Sequence, residues 1–75
     1  MDIIVFGQLK DITGCAVVSI EKVSDTTLLL KKMYARYPLL KDKKFLIAVN
    51  QKIISEQTEI GELATIALLP PFSGG

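Results

Sequence analysis

The sequence predicts an α+β domain in which a mixed sheet of four to five strands packs on one main helix. Three observations lead there. Residues 2–7 (DIIVFG) and 63–69 (LATIALL) are rich in apolar, strand-forming side chains and lie near opposite ends of the 75-residue chain. Residues 24–38 (SDTTLLLKKMYARYP) place apolar side chains at helical spacing between a capping signal and a proline. Residues 45–55 (FLIAVNQKIIS) read as two short strands around a turn.

The first strand is β-branched and aromatic and stops at Gly7. Little in it is polar, which predicts a central strand covered on at least part of both faces. Residues 8–14 (QLKDITG) form a turn or a short helical connection ending at Gly14, and residues 16–21 (AVVSIE) alternate well enough for a second strand. In the helix, Asp25 is the expected N-cap, because its carboxylate accepts from free N–H groups of the first turn; Ser24 is the alternative. Leu29, Leu30, Met33 and Tyr37 fall on one buried stripe, whereas Lys31, Lys32 and Arg36 lie off it and Leu28 faces away. Pro38 disfavours helix at Tyr37 and ends the element nearby.

Residues 41–44 (KDKK) read as a polar loop, a solvated one ahead of a contact for an acidic partner. Residues 45–49 and 53–55 then make a hairpin around Asn50-Gln51. Residues 56–62 (EQTEIGE) are irregular, with room for one helical turn, and residues 63–69 are the last strand. Two continuous apolar strands of this kind are expected as central, parallel neighbours, with the helix crossing one face. That order, ββαββ with a late extra strand, is the β-grasp arrangement. It contains no internal repeat or linker, so residues 1–75 read as one domain with an extended tail at residues 70–75.

Composition narrows the function. Nine basic and eight acidic residues give a net charge of +1, which supplies no electrostatic reason to expect nucleic acid or a membrane. Histidine is absent, which removes Ser-His and Cys-His nucleophilic pairs and the commonest zinc ligand. No metal site, no permanently bound cofactor and no self-sufficient catalytic centre is expected. Cys15 is the single cysteine, so no internal disulfide forms; a packed or incidental thiol is the favoured reading over a sulfur relay. Without a disulfide, a signal peptide or an 18-residue apolar run, a soluble, cytoplasmic location is expected. No phosphate-binding motif appears: the interval from Gly7 to Gly14 lacks a GK[ST] ending. Tyr34 and Tyr37 read as packing residues.

Hydrophobic residues make up 49% of the chain, high for a domain that buries only about 60% of its unfolded surface. The excess is expected on one sheet face and along the last strand, with Phe6, Leu68 and Phe72 as candidate partner contacts.

The end of the chain, LLPPFSGG, carries the functional signal. Pro70 and Pro71 favour an extended path and cannot continue a central ladder, so they act as a strut. Phe72, Ser73, Gly74 and Gly75 lie beyond it and would reach roughly 13 Å if extended. Glycine lacks a Cβ and enters channels that any side chain would block. A slim, stiffened, chemically bare tail suits delivery of the terminal carboxylate of Gly75 into another protein's active site. An inert tail is the alternative on composition alone.

The segments FGQLKDITG, AVNQKIIS and above all IALLPPFSGG resemble the small, sulfur-carrying subunit of molybdopterin synthase, a ubiquitin-like β-grasp family. The likeness covers nearly the whole chain, and the terminal Pro-Pro-x-x-Gly-Gly is its specific part. The resemblance implies that Gly75 is adenylated by a ubiquitin-activating-like enzyme that uses ATP. The acyl-adenylate then becomes a thiocarboxylate, and the tail delivers its sulfur inside the large synthase subunit to build the molybdopterin dithiolene. Pro70, Pro71, Phe72, Ser73 and Gly74 would set the tail's reach and fit, and the carrier and the large subunit would form a heterotetramer. Family members often have aromatic residues where this chain has Leu68 and Leu69, an acidic turn where it has Gly61 and Glu62, and arginine where it has Lys10. The rivals are a sulfur carrier for another pathway such as thiamine thiazole synthesis, a ubiquitin-like protein modifier, and a binding module with an inert tail.

Overall fold

A computed structural model of the chain describes residues 1–71. In chain order it contains β1 (Asp2–Val5), α1 (Leu9–Thr13), β2 (Val17–Ser19), α2 (Thr26–Arg36), a 3₁₀ turn (Pro38–Asp42), β3 (Leu46–Val49), β4 (Lys52–Ile54) and β5 (Ile66–Leu69). The strands form one sheet in the order β2-β1-β5-β3-β4. β1 and β5 are parallel at its centre, with Ile3 opposite Ile66 and Val5 opposite Leu68. The remaining pairings are antiparallel. This is the mixed sheet and single main helix of the β-grasp arrangement, with both end strands of the chain side by side.

Local chemistry sets the elements. The Asp25 carboxylate accepts from the Leu28 N–H at 2.9 Å and so starts α2. Thr26, the first helical residue, is buried; its N–H donates to the Thr58 carbonyl and its hydroxyl accepts from the Thr58 N–H, each at 3.0 Å. Leu29 and Met33 are fully buried, and Leu30 and Tyr37 are half-buried at the margins of the stripe. Pro38 begins the 3₁₀ turn rather than a plain loop, because its missing N–H and fixed φ suit a first helical position. That turn buries Leu40 completely and leaves Leu39 exposed. In the hairpin, Asn50 and Gln51 both have positive φ, 52° and 70°, the conformation of a tight two-residue turn. Asn50 also clamps the lead into β5: its N–H donates to the Thr65 carbonyl at 2.8 Å, and its side-chain oxygen accepts from the Thr65 N–H at 3.0 Å.

The core lies on one side of the sheet only. Ile3, Val5, Val18, Ile66 and Leu68 face Leu29 and Met33 of α2 together with Leu9, Leu40 and Ile60. The first strand is central as expected, but the expectation that it is covered on at least part of both faces is corrected, since no helix among the described residues lies over its second face. Ile3 and Val5 are buried, while Ile4 and, just past the strand, Phe6 are exposed. The last strand is also shorter than residues 63–69: pairing begins at Ile66, and Leu63 stands in solvent. No helix among the described residues is long and apolar enough to cross a membrane.

Candidate functional site

The tail leaves the sheet at a built junction. The last bond of the parallel pair runs from the Phe6 N–H to the Leu68 carbonyl at 3.0 Å. Immediately afterwards both chains turn away. On one side Gly7 takes φ +59°; a Cβ there would lie 2.8 Å from Cγ and 3.3 Å from Cδ of Pro70. Glycine is thus required twice at this position, for its left-handed backbone and for the approach of the proline ring. On the other side Pro70 is half-buried against that turn and Pro71 is exposed, so the chain emerges between the two prolines. The sequence marks Gly7 as a strand stop. Its contact with Pro70 spans 63 positions of chain and only the fold reveals it.

A groove of about 260 Å³ flanks this root, lined in part by Gln8 and Ile12 of the α1 segment, by Lys43 and Lys44, and by both prolines. Of the expected polar loop at residues 41–44, Lys41 and Asp42 complete the 3₁₀ turn, and Lys43 and Lys44 are brought beside the root of the tail. Neither Lys43 nor Lys44 makes an ion pair with another described residue; the pairs found are Lys22–Glu62 and Lys32–Glu21, both well exposed.

Of the expected tail residues, Pro70 and Pro71 form the root. Phe72, Ser73, Gly74 and Gly75 lie outside the described residues. Of the expected partner contacts, Phe6 stands exposed on the helix-free face beside β5, but Leu68 does not join it. Leu68 is fully buried and packs in the core, because its pairing with Val5 and Ile47 turns it toward α2. Its neighbour Leu69 has the opposite parity and is the β5 leucine on the open face.

That open face is apolar from edge to edge. Pairing sets Val17 beside Ile4, Ile4 beside Ala67, Ala67 beside Ala48, and Ala48 beside Ile53, one residue from each strand. Val17, Ile4 and Ile53 are each more than two-fifths exposed, and no element among the described residues covers them. Contiguous exposed apolar surface of this kind is a general feature of interaction sites. Phe6 is the residue of this face expected from sequence, and none of the row was, since the parity of the runs was not fixed by their composition.

Cys15 is exposed beyond Gly14, with its sulfur 3.6 Å from the Thr13 carbonyl. Among the described residues no three His, Cys, Asp or Glu side chains converge as a metal site. The junction and the open face thus adjoin at the end of β5: Pro70 is seated on Gly7, and apolar surface lies beside it.

Residues 3–75 match the family model described as the ThiS family, whose members are ubiquitin-like sulfur carriers.

Proposed function

The chain belongs to the ThiS family, and from that premise we propose that it carries sulfur for molybdenum cofactor assembly, with the carboxyl of Gly75 as the working end. The observation that carries the proposal is the terminal Pro-Pro-x-x-Gly-Gly, whose first proline is seated on Gly7. A carboxylate is a poor electrophile. An adenylating enzyme would join it to the AMP portion of ATP with release of pyrophosphate. A sulfur donor would then displace AMP and leave a thiocarboxylate on Gly75. The tail would carry that sulfur into the large subunit of molybdopterin synthase and onto a cyclic pterin precursor. In this scheme the chain is a co-substrate and subunit, and both enzymes supply the catalysis.

The fold supports the scheme mechanically. A strand at the sheet centre, continued by a proline locked against Gly7, gives the tail a fixed origin. The reach of the reactive end then depends on few free torsions, which limits the entropy lost on entering a channel. The open apolar face would dock the partners that receive the tail, with Phe6, Ile4 and Leu69 in place of the buried Leu68. Phe72→Ala should weaken the complex with the large subunit and leave the melting temperature unchanged, and isothermal titration measures the difference.

The decisive experiment alters the end itself. One residue added after Gly75 moves the carboxyl about 3.3 Å or more, and a 1 Å misplacement can cost about a hundredfold in rate. Gly74→Val tests bareness separately. ATP–pyrophosphate exchange with the cognate adenylating enzyme should collapse for the extended chain and fall sharply for Gly74→Val, with circular dichroism unchanged. Parent-like exchange by both variants would remove the carrier role. Intact mass of protein from its host should show one oxygen replaced by sulfur. Transfer of that sulfur to the pterin precursor supports the molybdenum pathway, and transfer only to a thiazole synthase would replace it with the thiamine pathway.

A further inference from the structure

The open face is not flat. The row across the sheet runs Val17, Ile4, Ala67, Ala48, Ile53, so its two smallest side chains sit together at the middle, directly opposite each other on β5 and β3. Larger neighbours rise around them, and a hollow of about 410 Å³ results, walled by Ile4, Phe6, Ile53 and Leu69 over a floor of Ala48 and Ala67. Ala48 is only 7% exposed, although it lies on the face that no helix covers and is not part of the core cluster. Its shelter comes from the walls. Gln51 and Thr65 close one end, and among the described residues no charged side chain lines the hollow.

We propose that this hollow is a socket for one large apolar side chain protruding from the adenylating enzyme that activates the tail; the proposal rests on the carrier role above. The chemistry of the lining selects the occupant: carbon on the walls and floor, with no charged side chain among the described residues there to neutralise a charge. Continuity selects the owner. β5 supplies the floor at Ala67 and a wall at Leu69, and the next residue is Pro70, the root of the tail. From Ala67 to Pro71 is four residues, roughly 13 Å at full extension. A protein that closes on the tail from Pro71 outward therefore lies over the hollow. A protruding aromatic or long aliphatic side chain in a desolvated pocket is the form that binding hot spots take.

The test uses the full chain and the purified cognate adenylating enzyme as probe, with affinity read by titration calorimetry. Ala67→Leu and the milder Ala67→Val fill the hollow from its floor; Ala67→Ser keeps it empty; Phe6→Ala removes a wall and reports on the face as a whole. Melting curves check that each variant is folded. The expected result is a loss of affinity of at least about tenfold for Ala67→Leu, less for Ala67→Val, and at most about threefold for Ala67→Ser. If Phe6→Ala weakens binding while Ala67→Leu and Ala67→Val bind like the parent, the face docks but the socket is wrong. If neither Phe6→Ala nor the filling variants weaken binding, the face is not the docking surface, and the socket falls with it. If sedimentation shows the parent to be a dimer that Ala67→Leu dissociates, a second copy fills the hollow and the proposed owner is overturned.

Discussion

Ile3, Val5, Ile66 and Leu68 alternate along two strands with Ile4, Phe6, Ala67 and Leu69, yet the first four are at most 2% exposed while Ile4 and Phe6 are 41% and 45% exposed. The two sets are chemically alike and differ only in parity. One set meets Leu29 and Met33 of α2 and contributes to folding. No helix among the described residues covers the other, so the transfer free energy of its exposed part, about 25 cal/mol per Å², would be realised only on association. In a domain this small, apolar content above what the core uses is therefore a statement about association. The comparison also explains why the tail starts where it does. β5, like β1, contributes to both sets, so it is anchored by the core and still leads out along the open face.

The adjacent leucines of β5 test the comparison most directly. Leu68→Ala should lower the unfolding free energy by about 2–5 kcal/mol, as expected for a fully buried leucine, a large part of the roughly 5–15 kcal/mol that a domain has in all. Leu69→Ala should cost far less in urea denaturation and should instead weaken partner binding. Equal losses of stability would mean that the two faces are not distinct.

The next effect belongs to the junction. Gly7→Ala forces a side chain into left-handed backbone, worth about 1–2 kcal/mol, and brings its Cβ within 2.8 Å of Pro70. Its denaturation midpoint should fall accordingly, and its tail should be activated more slowly by the adenylating enzyme. Pro70→Gly in the same chain relieves the contact but not the φ, so the double variant should be more stable than the sum of the single losses. Simple additivity would show that the proline is not seated there.

How far the fold was legible follows from which signals are local. Asp25, the stripe through Leu29 and Met33, Pro38 and the Asn50-Gln51 turn each act within a few residues, and each sits where sequence places it. The parallel pairing of the end strands was also readable, from their shared apolar character. Parity was not. LATIALL has no alternation, so nothing within it says whether Leu68 or Leu69 points inward; pairing with β1 and β3 decides that. β1 misled for a related reason, since an apolar run signals burial only when all of its apolar residues serve the core. At the end of β5, Pro70 and Pro71 were legible as a stop to the ladder, whereas the seat on Gly7 and the alanine floor are long-range and appear only when the strands are brought together.

A smaller effect comes from the edge that seals the core. Asp25 caps α2 and bridges to Glu59, and Thr26 beside it holds Thr58. Asp25→Ala removes only the cap bond, since the bridge is a backbone contact. The expected loss is about 1 kcal/mol, within the range of about 0.5–2 kcal/mol for such caps. Asp25→Asn, which keeps an accepting oxygen, should recover most of it. A larger loss, unrecovered by Asn, would show that the carboxylate does more than cap.

The smallest effect is the most demanding of the comparison. Ile53 is 61% exposed on β4, an edge strand, and stands at the end of the apolar row opposite Ala48. Ile53→Thr keeps the β-branched shape, so the strand propensity is nearly unchanged, and it removes apolar surface that the isolated chain does not bury. Its effect on stability should lie within about 0.5 kcal/mol, the usual range for a surface substitution. The change should appear instead in solution behaviour: less tendency to self-associate at high concentration, because an exposed apolar edge strand is a template for pairing with another copy. Denaturation at two protein concentrations separates these terms. If the parent's midpoint rises with concentration and that of Ile53→Thr does not, the open face already finds a partner in its own kind. If Ile53→Thr loses more than about 1.5 kcal/mol at every concentration, Ile53 is part of the folding core and the division between the two faces is drawn in the wrong place.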